Sequence, residues 1–101
     1  MIKAEFKRSR GKLTGFSVTG HSGYSSSGSD IVCASVSSAV MLACNLATDI
    51  FKLDADVKVE GESISLNQRG GSDGVIKGLF EHLKALEEEY PENINVTVSE
   101  V

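Results

Sequence analysis

An α+β domain, two helices packed on a mostly antiparallel sheet, is the fold class this sequence predicts. Two observations predict it. Short segments with apolar residues at every second position alternate with two longer segments whose apolar residues recur at steps of three and four. The segments follow one another in the order ββαββαβ, with glycine-bearing turns inside the strand pairs.

The first segment, "MIKAEFK", alternates Ile2, Ala4 and Phe6 with polar neighbours and reads as a half-buried strand. "RSRGK" supplies a turn at Gly11. "LTGFSVTG" reads as the hairpin partner, with Leu13, Gly15 and Ser17 set against Thr14, Phe16 and Val18, and it ends at Gly20. After the loop "HSGYSSSGS", a helical pattern runs from Asp30 to about Phe51, with Val32, Val36, Ala39, Ala43, Leu46 and Ile50 on one stripe. Asp30 is the N-cap candidate.

Two short strands, Val57–Glu60 and Ser63–Asn67, flank the turn "EGE". "RGGSDG" then enters a second helix, capped by Ser72 or Asp73. Its apolar stripe is Val75, Ile76, Leu79, Phe80, Leu83 and Leu86, and Pro91 stops it. Ile94, Val96 and Val98 alternate in a closing strand.

A chain of 101 residues with 41% hydrophobic and 24% charged residues is expected to form one domain, residues 1–101, with one core. No apolar run is expected to reach the roughly 20 residues of a membrane span. "MIKAEFKRSRGK" lacks a secretory core, so a cytoplasmic location without membrane contact is expected. The net charge of −4 disfavours direct nucleic-acid binding and favours a basic peptide or protein as partner.

Cys33 and Cys44 are eleven residues apart. On one helix they would be roughly 16 Å apart at about 1.5 Å per residue, too far for a disulfide. No CxxC or HxxxH spacing is present, so no metal site and no cofactor are expected.

With Asp30 as N-cap, Cys33 falls in the first helical turn, where free N–H groups and the helix dipole favour a thiolate. His21 lies twelve residues upstream across a Gly/Ser-rich loop that can fold back. A nucleophile, a base and N–H donors are the minimum of a cysteine hydrolase. Ser37 follows Cys33 by four residues and shares its face, while Asp30 has two competing roles, capping the helix or orienting the imidazole.

A lone cysteine in an apolar helix is ordinarily a small core residue, and Cys44, mid-helix, is read that way. His82, "RGGSDG" and "LEEEY" read as a surface histidine, a helix entry without the P-loop ending, and a solvated helix end. The competing classes are a non-catalytic assembly or peptide-binding module, and an RNA binder using "KRSRGK" and "RGG".

The segment Gly20–Ser37 resembles the signature of the ribosomal-processing cysteine protease family, approximately G-H-A-G-Y-A-x-x-G-x-D-I-V-C-A-A-V-S. Gly20, His21, Gly23, Tyr24, Gly28, Asp30, Ile31, Val32, Cys33, Ala34, Val36 and Ser37 match it. Ser22, Ser25 and Ser35 are small-for-small departures. The length, the element order and "LEEEYPENINV" extend the similarity over nearly the whole chain. The resemblance implies a catalytic dyad of His21 and Cys33, with Gly20, Asp30 and Ser37 at positions that bind substrate or support the site. It implies a mobile loop of Ser22, Gly23, Tyr24, Ser25, Ser26, Ser27, Gly28 and Ser29 that admits peptide. It also implies a homodimer whose substrate is the N-terminal extension of a large-subunit ribosomal protein, removed during ribosome assembly.

Overall fold

The computed structural model describes residues 1–20 and 27–101, the side chains of 27–30 excepted. The elements are β1 (Ile2–Ser9), β2 (Lys12–Thr19), α1 (Ser27–Asn45), a π-helical turn (Leu46–Ile50), β3 (Ala55–Glu60), β4 (Ser63–Gln68), α2 (Gly74–Glu89) and β5 (Ile94–Glu100). The sheet order is β3-β4-β2-β1-β5. β1–β2, β2–β4 and β3–β4 pair antiparallel, whereas β5 lies parallel to β1. The predicted α+β class and element order therefore hold, with one parallel pairing that the helix α2 makes possible as a crossover.

Both helices cover one face of the sheet. Ile2, Ala4 and Phe6 are buried while Lys3, Glu5 and Lys7 face solvent. Cross-strand register sets Phe6, Phe16 and Leu66 in one core row, and Ala4, Val18 and Ile64 in the next. The hairpin between β1 and β2 turns through Arg10 and Gly11 at φ 54° and 80°, the left-handed pair a two-residue turn demands.

Strict alternation in β2 placed Leu13 opposite Phe16 and Val18. All three are instead buried. The register shifts between Lys7 and Arg8, pairing Lys7 with Gly15 but Arg8 with Leu13. Thr14 is the extra residue of a bulge, and one extra residue returns Leu13 to the core face.

The first helix starts earlier and ends earlier than the sequence suggested. Ser27 is already helical, so Asp30 lies within the helix and is not its N-cap. At the other end, residues 46–50 change to π geometry, with Phe51 N–H donating to the Leu46 carbonyl at 2.8 Å. The Thr48 hydroxyl donates to the Cys44 carbonyl at 2.9 Å, a side-chain bond that competes with the regular ladder. Val32, Cys33, Val36, Val40, Ala43, Cys44 and Ala47 are buried. Ile50, on the apolar stripe read from sequence, is exposed at the end of the π-helical turn.

Contrary to the sequence expectation, Ile31–Ile50 has the length and mean hydropathy, 1.8, of a membrane span. Composition does not separate such a span from a helix whose apolar stripe covers a sheet, and here the buried valines of α1 belong to the common core.

α2 buries Ile76, Leu79 and Leu83, and the Phe80 ring meets Phe6 edge-on with centroids 5.1 Å apart. Its formal N-cap, Asp73, makes no capping bond; its carboxylate accepts the Leu13 N–H at 3.0 Å, while the Ser72 hydroxyl accepts from Gly74 N–H.

The acidic end of α2 is not wholly solvated. Glu87 accepts from Lys84 Nζ at 2.8 Å and from the Val96 N–H at 2.7 Å, tying the helix to β5. The Lys84 bond, then the Val96 bond, hold its carboxyl below the ordinary carboxylate range. Such a group stabilises the fold above its unfolded value, near 4.3, and the contribution disappears as pH falls through the lower folded value. Urea midpoints at pH 7 and pH 3 are expected to differ less in Glu87→Gln than in the wild type; equal differences would remove Glu87 from the acid response.

Candidate active site

β2 carries the chain to Gly20 at one end of the sheet. α1 then runs back antiparallel to β2, and its π-helical continuation meets Leu53 just before β3, where Leu53 N–H donates to the Ala47 carbonyl at 2.8 Å. The start of α1 and Cys33 therefore sit over the sheet end that carries Val18, Ile64 and Val59.

Gly20 is the last described residue before His21. Its φ is +82°, and a Cβ there would lie 2.6 Å from the Met1 carbonyl oxygen. The position requires glycine twice over, for backbone conformation and for close approach to the start of β1. The match of Gly20 to the protease motif thus has a mechanical cause: it turns the chain out of the sheet at the residue before the candidate base.

Cys33 is 8% exposed, at the margin of the α1 core face. At 100° per residue, Cys33, Ser37, Met41 and Cys44 fall along one flank. The opposite flank, with Ser35, Ala39, Leu42 and Leu46, borders a groove of about 1270 Å³ shared with Val75 and Leu79 of α2. This groove is thus on the other side of α1 from the thiol. The flank of Cys33 faces away from α2. Ser37 is half-buried beside it.

Three sequence expectations change at this site. With Ser27 at the first helical position, Cys33 lies in the second turn, and the free N–H groups of the helix start are one turn behind it. The dipole fades within the first turn, so it supports a thiolate less than the N-cap assignment implied. Ser27, Gly28 and Ser29, counted in the mobile loop, are backbone of α1. His21, Ser22, Gly23, Tyr24, Ser25 and Ser26 lie outside the described residues, as does the side chain of Asp30.

Cys44 is equally buried, and burial pushes its thiol up, away from the nucleophilic thiolate. Both cysteines are free. Among the described residues no three His, Cys, Asp or Glu side chains gather as metal ligands. His82 is exposed on α2, as read from sequence.

Comparison with known proteins decides the family. The model of the family described as cysteine protease Prp matches residues 1–95. The chain belongs to the cysteine protease Prp family.

A Prp relative, the ribosomal processing cysteine protease Prp of Bacillus subtilis, is 30% identical over 110 aligned positions, covering 98% of each chain. Among solved structures, SMU.848 from Streptococcus mutans is similar with a TM-score of 0.89 and 23% identity, over 100% of this chain and 96% of that one. The essential ribosomal processing protease Prp from S. aureus, in complex with a substrate peptide, gives the same TM-score and identity, over 98% of this chain and 100% of that one. These structures share the Prp fold: two helices on one face of a five-stranded mixed sheet. The exposure of Val57 and Val59 on the edge strand β3 was not legible in the sequence; its one signal is their alternation with Asp56, Lys58 and Glu60 in a strand of unknown neighbours.

Proposed function

We propose that residues 1–101 act as one cysteine endopeptidase domain that removes the N-terminal extension of a large-subunit ribosomal protein in the cytoplasm during ribosome assembly. The observation that carries this reading is the position of Cys33. Of the two cysteines, it alone lies near the start of α1, at the sheet end where β2 reaches Gly20, the residue before His21. The Bacillus subtilis and S. aureus relatives, named as ribosomal processing proteases, supply the substrate class.

In this mechanism the Cys33 sulfur attacks the scissile carbonyl. His21, protonated by the thiol, gives its proton to the leaving amine and then draws a proton from the water that hydrolyses the thioester. Because Cys33 sits in the second turn, activation of the thiol rests more on His21 than on the helix dipole. Asp30, one turn before Cys33, and Ser37, one turn after it, support the site. Gly20 positions the base, and residues 22–26 admit the peptide. An acidic chain, net −4, suits a basic ribosomal substrate. No cofactor takes part.

Two expected results test the reading. Wild-type protein cleaves the extended ribosomal protein and Cys33→Ser does not; an intact substrate after incubation with folded wild type would sink the assignment. Iodoacetamide alkylation of Cys33 persists at pH values where an ordinary thiol is protonated, and His21→Ala abolishes that persistence. A thiol unreactive at every pH in both proteins would favour a non-catalytic peptide-binding module.

The chain acts as a homodimer in this reading. Support comes from the exposed Leu42, Ile50 and Phe51 at the α1 and π-turn surface, beside the apolar groove shared with α2. Phe51→Glu is expected to shift the mass measured by light scattering from dimer to monomer; an unchanged dimer mass would place the interface elsewhere.

A further inference from the structure

β3 is an edge strand, paired with β4 alone among the described residues. Its residues alternate. Asp56, Lys58 and Glu60 point to the open polar face of the sheet. Val57 and Val59 point to the helix-covered face, opposite Leu66 and Ile64. Yet the helices do not reach them: Leu66 is buried, Ile64 half-buried, Val57 39% exposed and Val59 66% exposed. The result is an apolar shelf extending past α1. The flank of α1 carrying Cys33 and Ser37 is the one turned away from α2. Along the strands, Val59 shares a row with Ile64 and Val18, and Val18 lies two residues before Gly20. The shelf and the nucleophile are therefore at the same end of the sheet.

We propose that Val59, with Val57 and Ile64 beside it, is the specificity surface of the cleavage site, and that it receives an apolar side chain of the substrate next to the scissile bond. This rests on Cys33 being the nucleophile. The free edge of β3 commits the occupant to an extended segment. Such a segment bonds its backbone to the unpaired edge groups and turns alternate side chains onto the shelf. An exposed apolar edge is a liability that proteins ordinarily cover or charge. Here charge is confined to the other face of β3, and the uncovered Val59 lies at the sheet end of the candidate thiol, where a substrate would cover it transiently.

The test separates binding from chemistry. Ten-residue peptides identical except for a central Leu-Leu, Ser-Ser or Glu-Glu pair are titrated by fluorescence anisotropy into Cys33→Ala protein, with and without Val59→Lys. The Leu-Leu peptide is expected to bind at least roughly tenfold more tightly than Ser-Ser, the order expected for apolar contacts. Val59→Lys is expected to erase that preference and raise the relative affinity of Glu-Glu. Amide NMR shifts from the Leu-Leu peptide should include Val57, Val59 and Ile64. Val59 is exposed, so the variant folds, as circular dichroism verifies. Equal binding of the three peptides, or a preference untouched by Val59→Lys, overturns the proposal. So does a loss of dimer mass in Val59→Lys with peptide affinity unchanged, which would make the shelf a contact between copies. Leu-Leu binding at the shelf without cleavage by wild type would instead count against the protease reading alone.

Discussion

Replacing His21 by alanine is expected to lower peptide cleavage by about 10³-fold or more, and adding Cys33→Ser to it is expected to lower cleavage little further. Residues that act as one unit in a reaction are strongly non-additive, because the second loss finds no working partner to disable. The structure sharpens this expectation. Had Asp30 capped the helix, Cys33 would have stood among free N–H groups, and a share of its activation would have survived without the histidine. With α1 starting at Ser27, that share is smaller. A steady-state comparison of the two single variants and the double variant, against the same extended ribosomal protein, reads the coupling. Losses that simply multiply would show that His21 and Cys33 act independently, and would count against the dyad.

The second large effect is on stability. Gly20→Ala forces a left-handed backbone on a residue with a Cβ, at about 1–3 kcal/mol. It also sets that Cβ against the Met1 carbonyl oxygen, 2.6 Å away, which the neighbouring strand ladder holds in place. Gly11 is the control. Its φ is +80°, nearly that of Gly20, but nothing lies within 4 Å of its Cβ position. Gly11→Ala therefore reports the backbone strain alone. The Tm of Gly20→Ala is expected to fall further than that of Gly11→Ala, and the difference measures the close approach to β1. Because Gly20 launches the segment that carries His21, Cys33 alkylation in the folded fraction should also fall in Gly20→Ala and remain in Gly11→Ala. Equal Tm losses would reduce Gly20 to an ordinary turn glycine.

Much of the architecture was legible because local pattern and burial coincide. Ile2, Ala4 and Phe6 alternate in sequence and are buried in the sheet; Ile76, Leu79 and Leu83 recur at helical spacing and are buried in α2. The exceptions have non-local causes. Leu13 joins the core through a bulge, which depends on the register between β1 and β2. Glu87 reads as one of three solvated acids until β5 presents the Val96 N–H to it. Asp73 reads as a helix cap, but the Leu13 N–H draws its carboxylate across to β2.

The candidate site divides in the same way. Sequence by itself determined the family motif and the candidate pair His21 and Cys33. Those are properties of residue type and spacing, which a linear chain carries in full. Tertiary structure alone decided that Cys33 stands in the second turn of α1, that its flank faces away from α2, that residue 20 has no room for a Cβ, and that Val57 and Val59 lie uncovered on the edge strand. The physical reason is that burial is a property of neighbours. A strand that alternates valine with charge looks the same in sequence whether a helix covers its apolar side or stops one strand short.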